Sequence, residues 1–224
     1  MILSQHQENL TTYICRQLNN FFPDKEEVKL VHLNDSVKLG LERLDYCFSK
    51  VTNYRYNNGT ETIYNHLYSD HNIVFYWFLS NTVWVKTQNQ SLASKLYYLN
   101  KILHGFDCMY DTQLPDIFLI FHGVGTMLGK ATYSDYFVSM QGCTVGSNKG
   151  HYPVFGKGVS LTANSSAIGN CIIGQNCTIS TGTLLMDKNM NDRETAFINP
   201  ATGIVDVKVS KISYAEQFFM APFA

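Results

Sequence analysis

No CxxC pair, no run of lysines or arginines, and no apolar stretch long enough to cross a bilayer occurs in the 224 residues of this chain. Each absence closes off a class of function. Without paired spacing, the six cysteines point to neither a zinc site nor a disulfide framework, and a reduced cytoplasmic protein is expected. The 17 basic residues balance 18 acidic ones for a net charge of −1, which offers no footprint for a nucleic-acid backbone. The most apolar stretch, Asn72 to Val85, is too short to span a membrane and contains Ser80, Asn81 and Thr82. Met1 to Asn20 alternates polar and apolar residues, unlike a secretory signal. With 45% apolar and 16% charged residues, the chain is expected to be globular, as one large domain or two small ones.

What is present is a rhythm of six. Apolar residues recur at Phe155, Leu161, Ala167, Ile173, Ile179 and Leu185, and compact ones four places on at Val159, Ser165, Cys171, Cys177 and Thr183. This period suits neither a helix (3.6) nor a lone half-buried strand (2). It is the pattern of a hexapeptide β-helix, in which each hexad forms one flat side of a prism and successive coils stack. Traced backwards, the rhythm runs through Val145, Ser139, Tyr133, Met127 and Phe121, with small residues at Cys143, Ala131 and Gly125. The step from Val145 to Phe155 is ten, so about four residues around Ser147-Asn148-Lys149-Gly150 are expected to bulge out as a loop. After about Asp187 the rhythm stops, and Gly203 to Val209 alternates like a strand that caps the open end.

Before residue 105 the spacing is helical. Asp35 or Ser36 is positioned to cap a helix carrying Leu41, Leu44, Cys47, Phe48 and Val51 on one face. Ser69 or Asp70 starts an aromatic-rich helix, and Ser91 starts another that Gly105 closes. The first thirty residues add one more. An α+β chain results, with a helical domain over 1–105, a β-helix over 106–190 and a tail over 191–224.

Three short motifs carry a family likeness. His122-Gly-Val-Gly-Thr-Met-Leu-Gly129, Gln141-Gly-Cys-Thr-Val-Gly146 and His151-Tyr-Pro153 together resemble the serine acetyltransferases, as does Asn199-Pro200-Ala201. The likeness implies an α-helical N-terminal domain followed by a left-handed parallel β-helix, with acetyl-CoA as acyl donor and no metal. It implies that His122 is the general base and that Asp107, fifteen residues earlier, orients it. A coil of three hexads holds about eighteen residues, and strands on adjacent coils lie about 4.8 Å apart, so that spacing allows a carboxylate–imidazole bond. The likeness also implies contacts from His151 and Asp70 to the acceptor, and from Gly146, Ala163 and Thr181 to the cofactor. Asp70 serves equally well as a helix cap, and the small residues as ordinary coil corners.

The sequence departs from the family at two places. Phe121 stands where the family has Asp, and Gly150 where it has an Arg that would grip an amino-acid carboxylate. Lys149 or Lys157 could supply a less directional charge. The expected function is acetylation of the L-serine hydroxyl, as in cysteine biosynthesis. The alternatives are acetylation of a sugar or amino sugar, and a non-catalytic trimeric scaffold. A homotrimer or dimer of trimers is implied, with neither nucleic acid nor membrane as partner. The family's partner-binding tail ends in isoleucine, whereas this sequence closes Met220-Ala-Pro-Phe-Ala224.

Overall fold

The structure, a computed structural model, describes residues 1–220; the closing residues 221–224, on which the reading of the partner tail rests, lie outside them. The first half contains β1 (Ile2–Leu3), α1 (Gln7–Phe21), α2 (Asn34–Phe48), β2 (Ile63–Tyr64), α3 (Ser69–Thr87) and α4 (Gln90–His104). β1 and β2 form a small parallel pair. α3 lacks a single apolar stripe because it is buried on nearly every side, every residue from Asp70 to Ser80 being covered. α2 and α4 pack against it, and Trp77 and Phe78 set their rings 5.3 Å from Phe118 in the β-helix. Gly105 ends α4 in the left-handed conformation at φ 65°, as the sequence predicts. The cap at its other end is not Ser91: Asn89 accepts the Leu92 N–H at 3.0 Å, and the Ser91 hydroxyl turns to Glu26. No helix among the described residues is long and apolar enough to cross a membrane.

The second half is a left-handed parallel β-helix of about four turns. One face stacks β3 (Phe118–Ile120), β5 (Phe137–Ser139), β8 (Ser160–Leu161), β11 (Thr178–Ile179) and β13 (Glu194–Ile198), all parallel, and β14 (Val205–Val209) closes it antiparallel. The next face holds β4 (Met127–Leu128), β6 (Thr144–Gly146), β9 (Ser166–Ile168) and β12 (Leu184–Met186). The third has β7 (Val154–Phe155) and β10 (Ile172–Ile173), extended by single bridges at Thr132 and Met190. All six lead positions and all five compact positions of the rhythm are buried. Each large aliphatic among them contributes about 1.5–3 kcal/mol. The cysteines act as small core residues; Cys143 and Cys177 donate to the carbonyls of Thr162 (3.1 Å) and Asn191 (2.9 Å). Burial pushes the Cys177 thiol up to about 11.

Register reports where the rhythm breaks. Ser166 pairs with Leu184, 18 residues on, but Thr144 pairs with Ser166, 22 on, which gives the four extra residues expected around 147–150. There Asn148 and His151 close a tight hairpin over Lys149 (φ 49°) and Gly150 (φ 80°), a two-residue turn with both central residues left-handed. A second break was not anticipated. Headward of Tyr133 the inward residues are Ile120 and Leu128, not Phe121 and Met127, and Met127 is 49% exposed. The corner from Ile120 to Leu128 takes eight steps rather than six, and the two extra residues fall at His122–Gly125. The parallel stack also continues past Asp187, through Met190 to β13; the six-residue count loses it there because the corner from Leu185 to Met190 is one residue short.

From β14 the chain returns to the head. The Tyr214 N–H donates to Thr178 Oγ1 (3.1 Å), Phe219 packs on Tyr136 (5.2 Å), and the Thr52 and Met220 N–H groups donate to Phe218 and Lys50 carbonyls (2.8 and 2.7 Å).

His71 gives this fold a pH dependence. It is 1% exposed among Phe48, Tyr56 and Tyr68, and its Nδ1 accepts the Asn65 N–H at 3.1 Å. Burial lowers its pKa from 6.5 to about 4. Between those values the unfolded chain binds a proton that the folded chain does not. Stability from this group is therefore complete above pH 6.5 and falls by on the order of 3 kcal/mol as pH drops through 4. His71→Gln keeps an acceptor for Asn65 without the titration. Urea midpoints at pH 7.5 and 4.5 should differ less for the variant than for the unaltered protein; equal losses would refute the assignment.

Candidate active site

His122 sits on the widened corner between β3 and β4, with a left-handed backbone (φ 52°) and a side chain 69% exposed. A non-glycine residue held there is strained, and such strain persists where surrounding contacts fix it. The contact that fixes it comes from the head. Asp70, in the first turn of α3, accepts the His122 backbone N–H at 3.0 Å through Oδ1, and its Oδ2 lies 3.9 Å from His122 Nδ1. The Asp70 side chain is only 2% exposed. Burial raises its pKa, and the His122 N–H bond opposes the rise. α3 has Tyr68 at its N-cap, without a side-chain cap bond, so Asp70 is spent on His122 rather than on capping. With Nδ1 turned to the carboxylate, Nε2 is the imidazole nitrogen left to face a ligand.

The register continues this corner down the prism. Ile120, Ser139, Leu161, Ile179 and Ala196 are stacked partners, so two residues on, His122, Gln141, Ala163, Thr181 and Ile198 form one column. Ala163 lies two coils, roughly 10 Å, below His122. Ala163 and Thr181 line an open groove of about 490 Å³ with Met140, Thr162, Phe197 and Tyr214. Its walls are small or apolar, and Thr162 Oγ1 donates to the Ile179 carbonyl (3.1 Å) beside Thr181. Tyr214 closes one side, its hydroxyl 3.4 Å from Met140 Sδ.

The other expected residues lie elsewhere. Asp107 bridges to Met127 on the second face, and its carboxylate accepts from Tyr97 (2.7 Å) and pairs with Lys101 (2.6 Å), both on α4. The carboxylate beside His122 within this chain is Asp70. His151 and Gly146 belong to the next corner, between the second and third faces: Gly146 ends β6, and exposed His151 closes the hairpin after it. One face of the prism thus separates His122 from His151. Two contributors went unpredicted. Phe218 packs at a tilt against Phe121, ring centroids 4.7 Å apart, beside His122, and Tyr214 walls the groove. A larger groove of about 580 Å³ between α2 and α3 holds none of these residues. Arg43 there is occupied by Asn81 and Thr82 (2.8 and 3.0 Å) and stacked over Phe78.

No family model matches the chain. A serine acetyltransferase of Synechococcus elongatus is 29% identical over 110 residues, which is 46% of this chain and 45% of that protein. The chain thus spans less than half the length of the curated relative it matches. The solved serine acetyltransferase of Neisseria gonorrhoeae superposes with a TM-score of 0.68 at 14% identity, covering 95% of this chain and 82% of the other. A serine acetyltransferase in complex with CoA gives 0.68 at 15% identity, over 91% and 86%. The chain is similar to the serine acetyltransferases, in sequence over part of its length and in fold over nearly all of it.

The returning tail is the site's outer wall, and Phe219, 2% exposed, is its anchor. Phe219→Ala should cost about 3–5 kcal/mol of anchoring and release the segment from Ser210 to Met220. Trypsin cleavage after Lys211, followed by mass spectrometry, should become much faster in the variant; an unchanged rate would mean the tail is held by its backbone bonds alone.

Proposed function

We propose that this chain is an acetyl-CoA-dependent O-acetyltransferase with L-serine as leading acceptor and His122 as general base. One observation carries the reading: buried Asp70 faces His122 Nδ1, on the same corner of the prism that carries Ala163 and Thr181 of the groove two and three coils below. Acetyl-CoA supplies the acyl group as a thioester. The groove suits its pantetheine arm, since Ala163 leaves room and Met140 and Phe197 offer apolar walls, with Tyr214 alongside. His122 Nε2 takes the proton from the acceptor hydroxyl, and Asp70 holds the ring and stabilises the imidazolium that forms. Asp70 thus takes the orienting role that the family likeness implies for Asp107.

His151 and Gly146 join this chemistry only if the corner that carries them meets the His122 corner of another copy. A homotrimer closing three such sites follows from the proposal, with pairing of trimers as a further step. Donor and acceptor would then lie between subunits, His151 reaching the acceptor from the neighbouring chain.

A sugar or amino-sugar acceptor is the second reading, favoured by Phe121. That residue is 8% exposed against Phe218, and Gly150 is in a tight turn, so neither supplies the charge that would grip a free amino acid.

Thiol release from acetyl-CoA, measured with L-serine and then with a panel of sugars, tests both readings. With the true acceptor, His122→Ala and Asp70→Asn should each lower kcat by on the order of 10²–10⁴, and Asp107→Asn should lower it far less. A loss confined to Asp107→Asn would return the orienting role to Asp107. Ala163→Trp should raise KM for acetyl-CoA with little change in kcat.

A further inference from the structure

β14 is the last strand of its sheet, so one of its edges pairs with no strand among the described residues. The register fixes what that edge carries. Beyond either end of β14, the Ile204 carbonyl accepts from Asn199 (2.9 Å) and the Ser210 N–H donates to Arg193 (2.8 Å). Even-numbered residues therefore face β13, and Val205, Val207 and Val209 direct their N–H and C=O groups outward. In agreement, the Val207 N–H goes not to β13 but to Asp206 Oδ1, at 2.8 Å. Val207 stands opposite buried Ala196, so the three valine side chains lie on the underside of the last coil. Val209 is 78% exposed, and Ile204 and Ile212 beside the strand are 65% and 68% exposed. Asp206 and Lys208 occupy the other side, and neither has an ion-pair partner among the described residues.

Val205-Asp-Val-Lys-Val209 is its own complement when read backwards. We propose that β14 is the docking edge for a second copy of this chain, the two strands pairing antiparallel about a two-fold axis at Val207. The Val207 N–H and C=O groups of the two copies then bond to each other, and Val205 of one copy faces Val209 of the other. Asp206 of each copy faces Lys208 of the other, in a non-hydrogen-bonded pair where cross-strand side chains come closest. Asp206 gives up its hold on the Val207 N–H and takes the lysine instead.

Charge fixes the register. Sliding by the smallest step that keeps the odd-numbered residues hydrogen-bonded sets Asp206 against Asp206 in one direction and Lys208 against Lys208 in the other. Charged residues on an edge strand commonly prevent pairing; this arrangement forbids every nearby register except one. β14 lies at the end of the stack away from the head, so the contact joins chains tail to tail. The sides of both prisms stay free for lateral packing.

Sedimentation of the full chain, with circular dichroism to verify folding, tests the proposal. The unaltered protein should contain an even number of chains. Lys208→Asp and Asp206→Lys each set like charges across the axis twice and should halve the particle mass. Combining Asp206→Lys with Lys208→Asp should restore it. An odd number of chains, one mass for all four proteins, or a double variant that stays at half mass would overturn the pairing.

Discussion

Each coil of the β-helix hangs on the one before it by backbone hydrogen bonds, at a separation the backbone alone determines. Gly156 illustrates how little slack this leaves, since a Cβ there would meet the Gln175 nitrogen and the Gly174 carbonyl carbon of the next coil at 2.8 Å. Side chains at inward positions fill a cross-section that cannot widen, so any residue beyond the hexad count must leave at a corner. The two extra residues at His122–Gly125 and the four at Ser147–Gly150 both leave this way. Each excursion carries one of the two histidines of the proposed chemistry. Regularity in the stack is what makes those corners available for function.

The head is joined to this prism through α3. Its apolar girth accepts the first coil through Trp77 and Phe78, and its first turn delivers Asp70 to the His122 backbone. The join is close: a Cβ on Gly123 would lie 2.8 Å from Ile73 Cδ1. A carboxylate with 2% exposure is costly to bury, and its position near a helix N-terminus and under a backbone N–H offsets part of that cost. The same contact aligns the imidazole. Joining the two halves and setting the proposed base are thus one interaction.

The legible and illegible parts of the sequence divide along physical lines. The inward hexad positions are short-range and repetitive, so Phe155 to Leu185 could be read directly, as could the four-residue loop. Phase across the His122 corner could not, because Phe121 and Met127 are apolar enough to pass for inward residues and only packing shows that Ile120 and Leu128 take those places. His122, Ala163 and Thr181 stand on one corner, at unequal steps that only the strand register reveals. The Asp70 contact spans 52 residues between separate elements, and no local period encodes it. The family likeness pointed to Asp107, at a spacing that allows the contact, but within this chain its carboxylate is held by Tyr97 and Lys101, ten and six residues before it.

The tail that returns from β14 to Lys50 and Val51 also sets an order on the life of the chain. Thr52 meets Gln217 across 165 residues, so the rim of the head beside Val51 is finished only after every coil of the prism has been synthesised. During synthesis the helices and each coil can form as they emerge, whereas that rim and the ring of Phe121 wait uncovered until Phe218 and Phe219 follow the prism. A nascent chain stalled inside the prism would hold a nearly complete core and still lack the closure that ties the far side of the prism back to the head.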